Sequence, residues 1–270
     1  KDAGPNIAPS NAPLPSLVGD ETTLAVNATA NFAANFTNSF GADGAGAVVY
    51  GLNVGAVASG LKDVATDADI VLVKTPAGVI EGRAGVGGPV AFTVTVAANG
   101  DVTLDQLRAL KHPNAANPDD AVSLAPGSLI LTATSTDKDG DSDAANLNIG
   151  GALTFEDDGP SFNVNNTPVP VLTVDETNLA VNAIANFAGN FSPVFGADGA
   201  GTVAYTLNTA GGPSGLTDVA SGQPVVLVKN GDTIEGRVGD PTGAIAFTVA
   251  VNPATGAVTL DQQRALTHPN

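Results

Sequence analysis

The stretch PVAFTVTVA (89–97) sets Ala91, Thr93 and Thr95 on one side and Phe92, Val94 and Val96 on the other. A period of two is the mark of a half-buried β-strand. Around it, AVVYGL (47–52), DIVLVK (69–74), VIEGRA (79–84) and SLILTATST (128–136) are β-branched runs bounded by Gly, Pro, Asn or Asp. DQLRALKH (105–112) predicts one short helix, capped by Asp105, with Leu107 and Leu110 as its apolar side and Pro113 as its stop. The segment 22–38, rich in Ala, Asn and Phe, reads either as strand with loops or as a helical turn. No helical crossovers separate the strands, so the expected fold is all-β: tandem antiparallel β-sandwich repeats, immunoglobulin-like or elaborated, with at most short helices.

The pattern occurs twice. DETTLAVNATANFAANF (20–36) returns as DETNLAVNAIANFAGNF (175–191), an offset of 155 residues. SGLKDVA (59–65) becomes SGLTDVA (214–220), IEGR (80–83) recurs at 234–237, and VTLDQLRALKHPN (102–114) as VTLDQQRALTHPN (258–270). TVAYTL, VVLVK, TIEGR and AIAFTVAV repeat the strands of the first copy. The expected boundaries are a first unit over 1–160 and a second over 161–270, without the part equivalent to 115–160. Near-identical tandem units point to an array that supplies length or multivalency. The chain reads as a piece of a longer one.

Composition narrows the function. Of 270 residues, 43% are apolar but only 14% charged, and the net charge is −17. That charge argues against nucleic acid and against anionic membrane surfaces, and favours divalent cations as partners. No apolar run is long enough for membrane insertion. There is no cysteine, so neither disulfides nor thiolate metal sites are available.

TDKDGDSDAANLNIGGALTFEDDGP (136–160) gathers seven carboxylates, Asp137, Asp139, Asp141, Asp143, Glu156, Asp157 and Asp158, against the single Lys138. In DKDGDSD the Asp residues alternate around Gly140, so a tight loop can turn them toward one point. Ca2+ takes six to eight oxygens at about 2.3–2.6 Å and tolerates irregular geometry. The competing reading is a solvated Asp/Gly hairpin, in which four like charges repel well inside a Debye length of about 8 Å. EDDGP (156–160) reads either as a calcium site stiffening the joint between units or as a polar linker.

The ordered series SGLxDVA, xIEGR, AFTV, VTLDQxRALxHP, TATSTDKDGDSD and TFEDDGP resembles the extender repeats of the giant type I-secreted RTX-type adhesins of Gram-negative bacteria. The resemblance implies tandem β-sandwiches, calcium-dependent folding and rigidity, neighbouring repeats as partners, and an extracellular setting at the cell surface or in biofilm. It also implies a secretion signal at the far C-terminal end, although the nonapeptide β-roll repeat of such proteins is absent here. Carried over residue by residue, calcium falls on Asp137, Asp139, Asp141 and Asp143, then on Glu156, Asp157 and Asp158. The implied function is a calcium-stiffened spacer. The alternatives are a glycan- or surface-binding module and a self-associating filament subunit.

Other features read as structural, and no constellation suggests an enzyme. His112 and His268 each precede Pro, with the imidazole expected to hydrogen-bond a loop carbonyl. FGADGAG (40–46, again at 195–201) lacks the Gly-Lys-Ser/Thr ending of a phosphate loop and reads as a tight turn closed by Asp43 and Asp198. Glu81 with Arg83, and Glu235 with Arg237, read as surface ion pairs.

Overall fold

The computed structural model describes residues 4–42, 44–114 and 116–268. Asp43 lies outside the described residues. The chain divides into two compact units, one of Lys1–Pro160 with Phe195–Ala200, the other of Ser161–Val194 with Gly201–Asn270.

The first unit is built from β1 (Asn6–Pro9), β2 (Leu17–Asp20), β3 (Ala28–Asn31), β4 (Phe36–Ser39), β5 (Ala47–Val54), β6 (Ala58–Lys62) and β7 (Asp69–Lys74). It continues with β8 (Ile80–Ala84), β9 (Val90–Val96), β10 (Asp101–Gln106), β11 (Ala121–Ser123), β12 (Leu129–Thr136), β13 (Ser142–Asn148) and β14 (Leu153–Glu156). A six-stranded antiparallel sheet runs β3-β10-β9-β8-β7-β6. Over it lie two three-stranded sheets, β11-β14-β2 and β13-β12-β5, and a β1-β4 pair completes the unit. All these pairings are antiparallel except β14 with β2, which is parallel from Leu153 opposite Leu17 to Glu156 opposite Asp20.

The alternation in 89–97 is followed only in part: Ala91, placed on the threonine side by the period of two, is fully buried, and Val96 is only half-buried. Phe92 and Val94 are fully buried and Thr95 is exposed. Phe92 meets Phe155 of β14 with ring centroids 5.0 Å apart, so an aromatic pair joins the two layers. Opposite Phe92 on β8 stands Gly82, where a Cβ would come within 2.3 Å of the Phe92 ring. The ring therefore occupies the space that a side chain at 82 would fill. Phe32, Leu52, Ile80, Leu104 and Leu131 belong to the same continuous core.

The helix expected at 105–112 does not form. Asp105 and Gln106 end β10, and the chain beyond runs irregularly, with a single bridge between Leu110 and Asp63. Its backbone donors are spent on other elements: Leu107 N donates to Ala91 O at 2.7 Å and Lys111 N to Lys62 O at 2.8 Å. Arg108 turns to the buried Asp63. These long-range partners outweigh a local helical preference of a few tenths of a kcal/mol per residue. Segment 22–38 combines both of its readings, with 3₁₀ turns at Glu21–Thr23 and Ala33–Asn35 flanking β3 and leading into β4.

The second unit contains β15 (Ser161–Val164), β16 (Ala183–Asn186), β17 (Phe191–Val194), β18 (Gly212–Thr217), β19 (Pro224–Asn230), β20 (Thr233–Val238), β21 (Ile245–Val251) and β22 (Ala257–Gln262). Its sheet β16-β22-β21-β20-β19-β18 has the same order as the large sheet of the first unit. TVAYTL (202–207), expected as a strand, is not paired. Its counterpart β5 pairs with β12, and the second unit has no strand equivalent to β12 among the described residues. The buried cluster of this unit is correspondingly small, built on Val225, Ala246 and Phe247.

Candidate metal centres

Burial along β12 alternates strictly, with Leu129, Leu131, Ala133 and Ser135 pointing inward. The next inward position is Asp137, so the period of two drives a carboxylate into the protein; only 4% of Asp137 is exposed. The hairpin pairing ends at Thr136 opposite Ser142, leaving 137–141 as the loop. Gly140 takes a φ of 106°, which its lack of a Cβ permits. Asp137 Oδ1 accepts from the backbone N–H groups of Gly140 (3.1 Å) and Asp141 (2.9 Å). Asp137 Oδ2 is buried with no partner among the described residues, and so is Ser135 Oγ one inward position earlier. Asp137, Asp139 and Asp141 each offer a carboxylate oxygen, all within 4.8 Å of one another. The fourth Asp of the motif is drawn aside: Asp143 Oδ2 accepts from Ile7 N of β1 at 3.0 Å.

The carboxylates of EDDGP separate. Glu156 ends β14, half-buried between its sheet neighbours Asp20 and Ala121. Asp157 is buried, its N–H donating to Asp120 O at 2.9 Å. Burial pushes its carboxyl above the usual aspartate range, while His112 and the Asp158 N–H oppose that shift. Asp158 accepts from Ala197 N at 3.1 and 3.0 Å. Its neighbour Asp198 lies in the expected tight turn, and its carboxyl is raised by burial and by the charges of Asp157 and Asp158.

Asp157 meets two residues that sequence reading did not join to it. One carboxylate oxygen each from Glu21 and Asp157 and one ring nitrogen of His112 lie within 4.8 Å of one another. Glu21 opens the 3₁₀ turn after β2, which Asp20 caps by accepting from Thr22 N at 2.8 Å. Glu21 Oε1 accepts from Gln106 Nε2 (2.9 Å) and Leu110 N (2.8 Å), and faces His112 Nε2 at 3.4 Å. Glu21 Oε2 and His112 Nδ1 are buried without partners among the described residues. The expected bond from His112 to a loop carbonyl is thus replaced by a carboxylate neighbour. The sequence did carry a signal for Glu21, since DET recurs as Asp175-Glu176-Thr177, yet a single Glu after a strand does not reveal its burial.

The second unit tests the cause of the Glu21 shift. Glu176 accepts from Gln262 Nε2 (2.6 Å) and Leu266 N (2.8 Å), with His268 Nε2 at 3.3 Å. The donors match, but the Glu176 and His268 side chains are 27% and 77% exposed, against 0% and 2% for Glu21 and His112. The Leu266 N–H holds Glu176 below the usual glutamate range, whereas burial pushes Glu21 up to about 7. Desolvation is the difference.

The ion pairs are structural. Arg83 joins Glu81 Oε2 through Nη2 at 2.6 Å and donates from Nη1 to Gly88 O at 2.9 Å, pinning the turn after β8. Arg237 repeats this with Glu235 and Gly243. Both pairs are partly buried where surface positions were expected.

Among known proteins, a family model described as a domain of unknown function, DUF5801, matches residues 16–150 and 171–270. No curated protein and no solved structure matches the chain. With most of both units covered by that model, the chain belongs to the DUF5801 family.

Proposed function

We propose that the chain is a calcium-stiffened spacer, made of extender repeats of a bacterial cell-surface adhesin secreted by a type I system. The observation that carries the reading is the β12–β13 loop, where a buried carboxylate oxygen of Asp137 has no donor and two more aspartates lie within 4.8 Å. A buried polar atom left without a partner costs about 1–3 kcal/mol. A cation removes that cost and the repulsion among the three aspartates together. The donors are all oxygen, close to a hairpin whose backbone carbonyls and waters can complete a shell, which suits Ca2+ better than Mg2+. The ordered motifs that resemble those of adhesin extenders, the tandem units and the net charge of −17 support the same reading.

Binding that exists only in the folded state adds its free energy to folding. Calorimetric titration of metal-stripped protein with CaCl2 is expected to show saturable uptake, with at least one site lost in Asp137→Asn. An absence of uptake would remove the physical basis of the spacer.

A further inference from the structure

We propose that Glu21, His112 and Asp157 form a second metal site, distinct from the hairpin loop and selective for a divalent transition ion such as Zn2+. Three donors converge on one point from three parts of the first unit: the turn after β2, the irregular segment after β10 and the chain leaving β14. Two of the residues carry buried polar atoms, Glu21 Oε2 and His112 Nδ1, with no partner among the described residues. A metal ion held by Glu21 Oε2, a ring nitrogen of His112 and Asp157 would give the buried carboxylate oxygen a partner. Two ligands each about 2.0–2.1 Å from one Zn2+ lie no more than about 4.2 Å apart, so the three atoms, gathered within 4.8 Å of one another, need draw together by no more than about 0.6 Å.

The surroundings are arranged as a supporting shell. Gln106 Nε2 and Leu110 N both donate to Glu21 Oε1, which fixes the carboxylate and leaves Oε2 as its free ligand atom. The N–H of Asp158 does the same for Asp157 Oδ1 at 3.0 Å. Such bonds hold ligands in place before the metal arrives. The donor set decides the ion class. An imidazole with two carboxylates suits Zn2+ and its first-row neighbours, whereas Ca2+ takes oxygen ligands. The two centres therefore sort two kinds of cation.

The chain has two histidines, which makes the test sharp. Protein purified without a polyhistidine tag and carrying His268→Gln keeps His112 as its sole imidazole. After metal stripping and saturation with Ca2+, it is expected to bind one equivalent of Zn2+. X-ray absorption of that complex should then show imidazole in the zinc shell. Asp157→Asn and His112→Gln are each expected to weaken Zn2+ binding at least about tenfold. Asp137→Asn should leave it unchanged, so failure of the calcium reading and failure of this one are separable. Zinc uptake without imidazole scattering, uptake indifferent to Asp157→Asn, or displacement of zinc by excess Ca2+ would each overturn the proposal. Because the spectroscopic readout uses protein with an intact site, a variant that fails to fold does not rescue it.

Discussion

Asp63 shows how a charge survives burial. None of its surface is exposed, yet Arg108 donates from Nε at 2.7 Å and from Nη2 at 3.0 Å, and Thr66 adds its N–H and hydroxyl. The hydrogen-bonded Arg108 holds the Asp63 carboxyl below the usual aspartate range. Asp218 and Arg264 repeat the arrangement, with Asp218 likewise lowered. Arg108→Ala leaves Asp63 buried and uncompensated, and should destabilise the first unit by ~3 kcal/mol in urea denaturation. The pH dependence follows from the direction of the shift. Below the ordinary aspartate value of 3.8 the unfolded chain binds the proton first, so the stability contributed by the pair is present above that pH and lost as pH falls through the depressed folded value. The stability gap between wild type and Arg108→Ala should therefore narrow on acidification below about pH 4; a gap constant to acid would contradict the pairing. Sequence reading saw DVA and RAL recur at fixed spacing without seeing that they meet. The bonds bridge 45 residues, and no local pattern encodes a partner at that distance.

At the level of elements, the β-runs around 47–54, 69–74, 80–84, 90–96 and 129–136 were legible because burial on one face leaves alternation in the residues themselves. The strand ending in Gln106 was not, because VTLDQLRALKH carries apolar positions at both a strand and a helical spacing, and distant backbone partners chose between them. The acidic loop was legible as a cluster but not in its division of labour. Asp137 inherits an inward direction from β12, while Asp143 sits on β13 and serves Ile7. Gly82 marks a further constraint at this scale. Because the Phe92 ring fills the place of its side chain, Gly82→Ala should cost about 1–3 kcal/mol through overpacking, read by chemical denaturation. Gly236 beneath Phe247 stands in the same relation in the second unit, with 2.3 Å to the ring, and its substitution should destabilise as well.

For the whole molecule, the 155-residue offset revealed two units, but it could not show that Phe195–Ala200 groups with the first, since only the folded chain places Ala197 beside Asp158. If the chain is a spacer held by calcium, EGTA should lower its melting temperature and broaden the small-angle scattering profile toward a more flexible particle. Identical melting curves and profiles with and without chelator would count against the spacer. The pairing of β2 with β14 gives that role a mechanical side. Near one end of the first unit the chain passes into β2, near the other it leaves through β14, and the two strands run the same way side by side. Tension pulling the ends apart draws these strands past each other lengthwise. Their hydrogen bonds are then strained in parallel, where a hairpin pulled from its open end would unzip rung by rung. A tether built this way yields abruptly and late, and its resistance resides in the contact between Leu17–Asp20 and Leu153–Glu156.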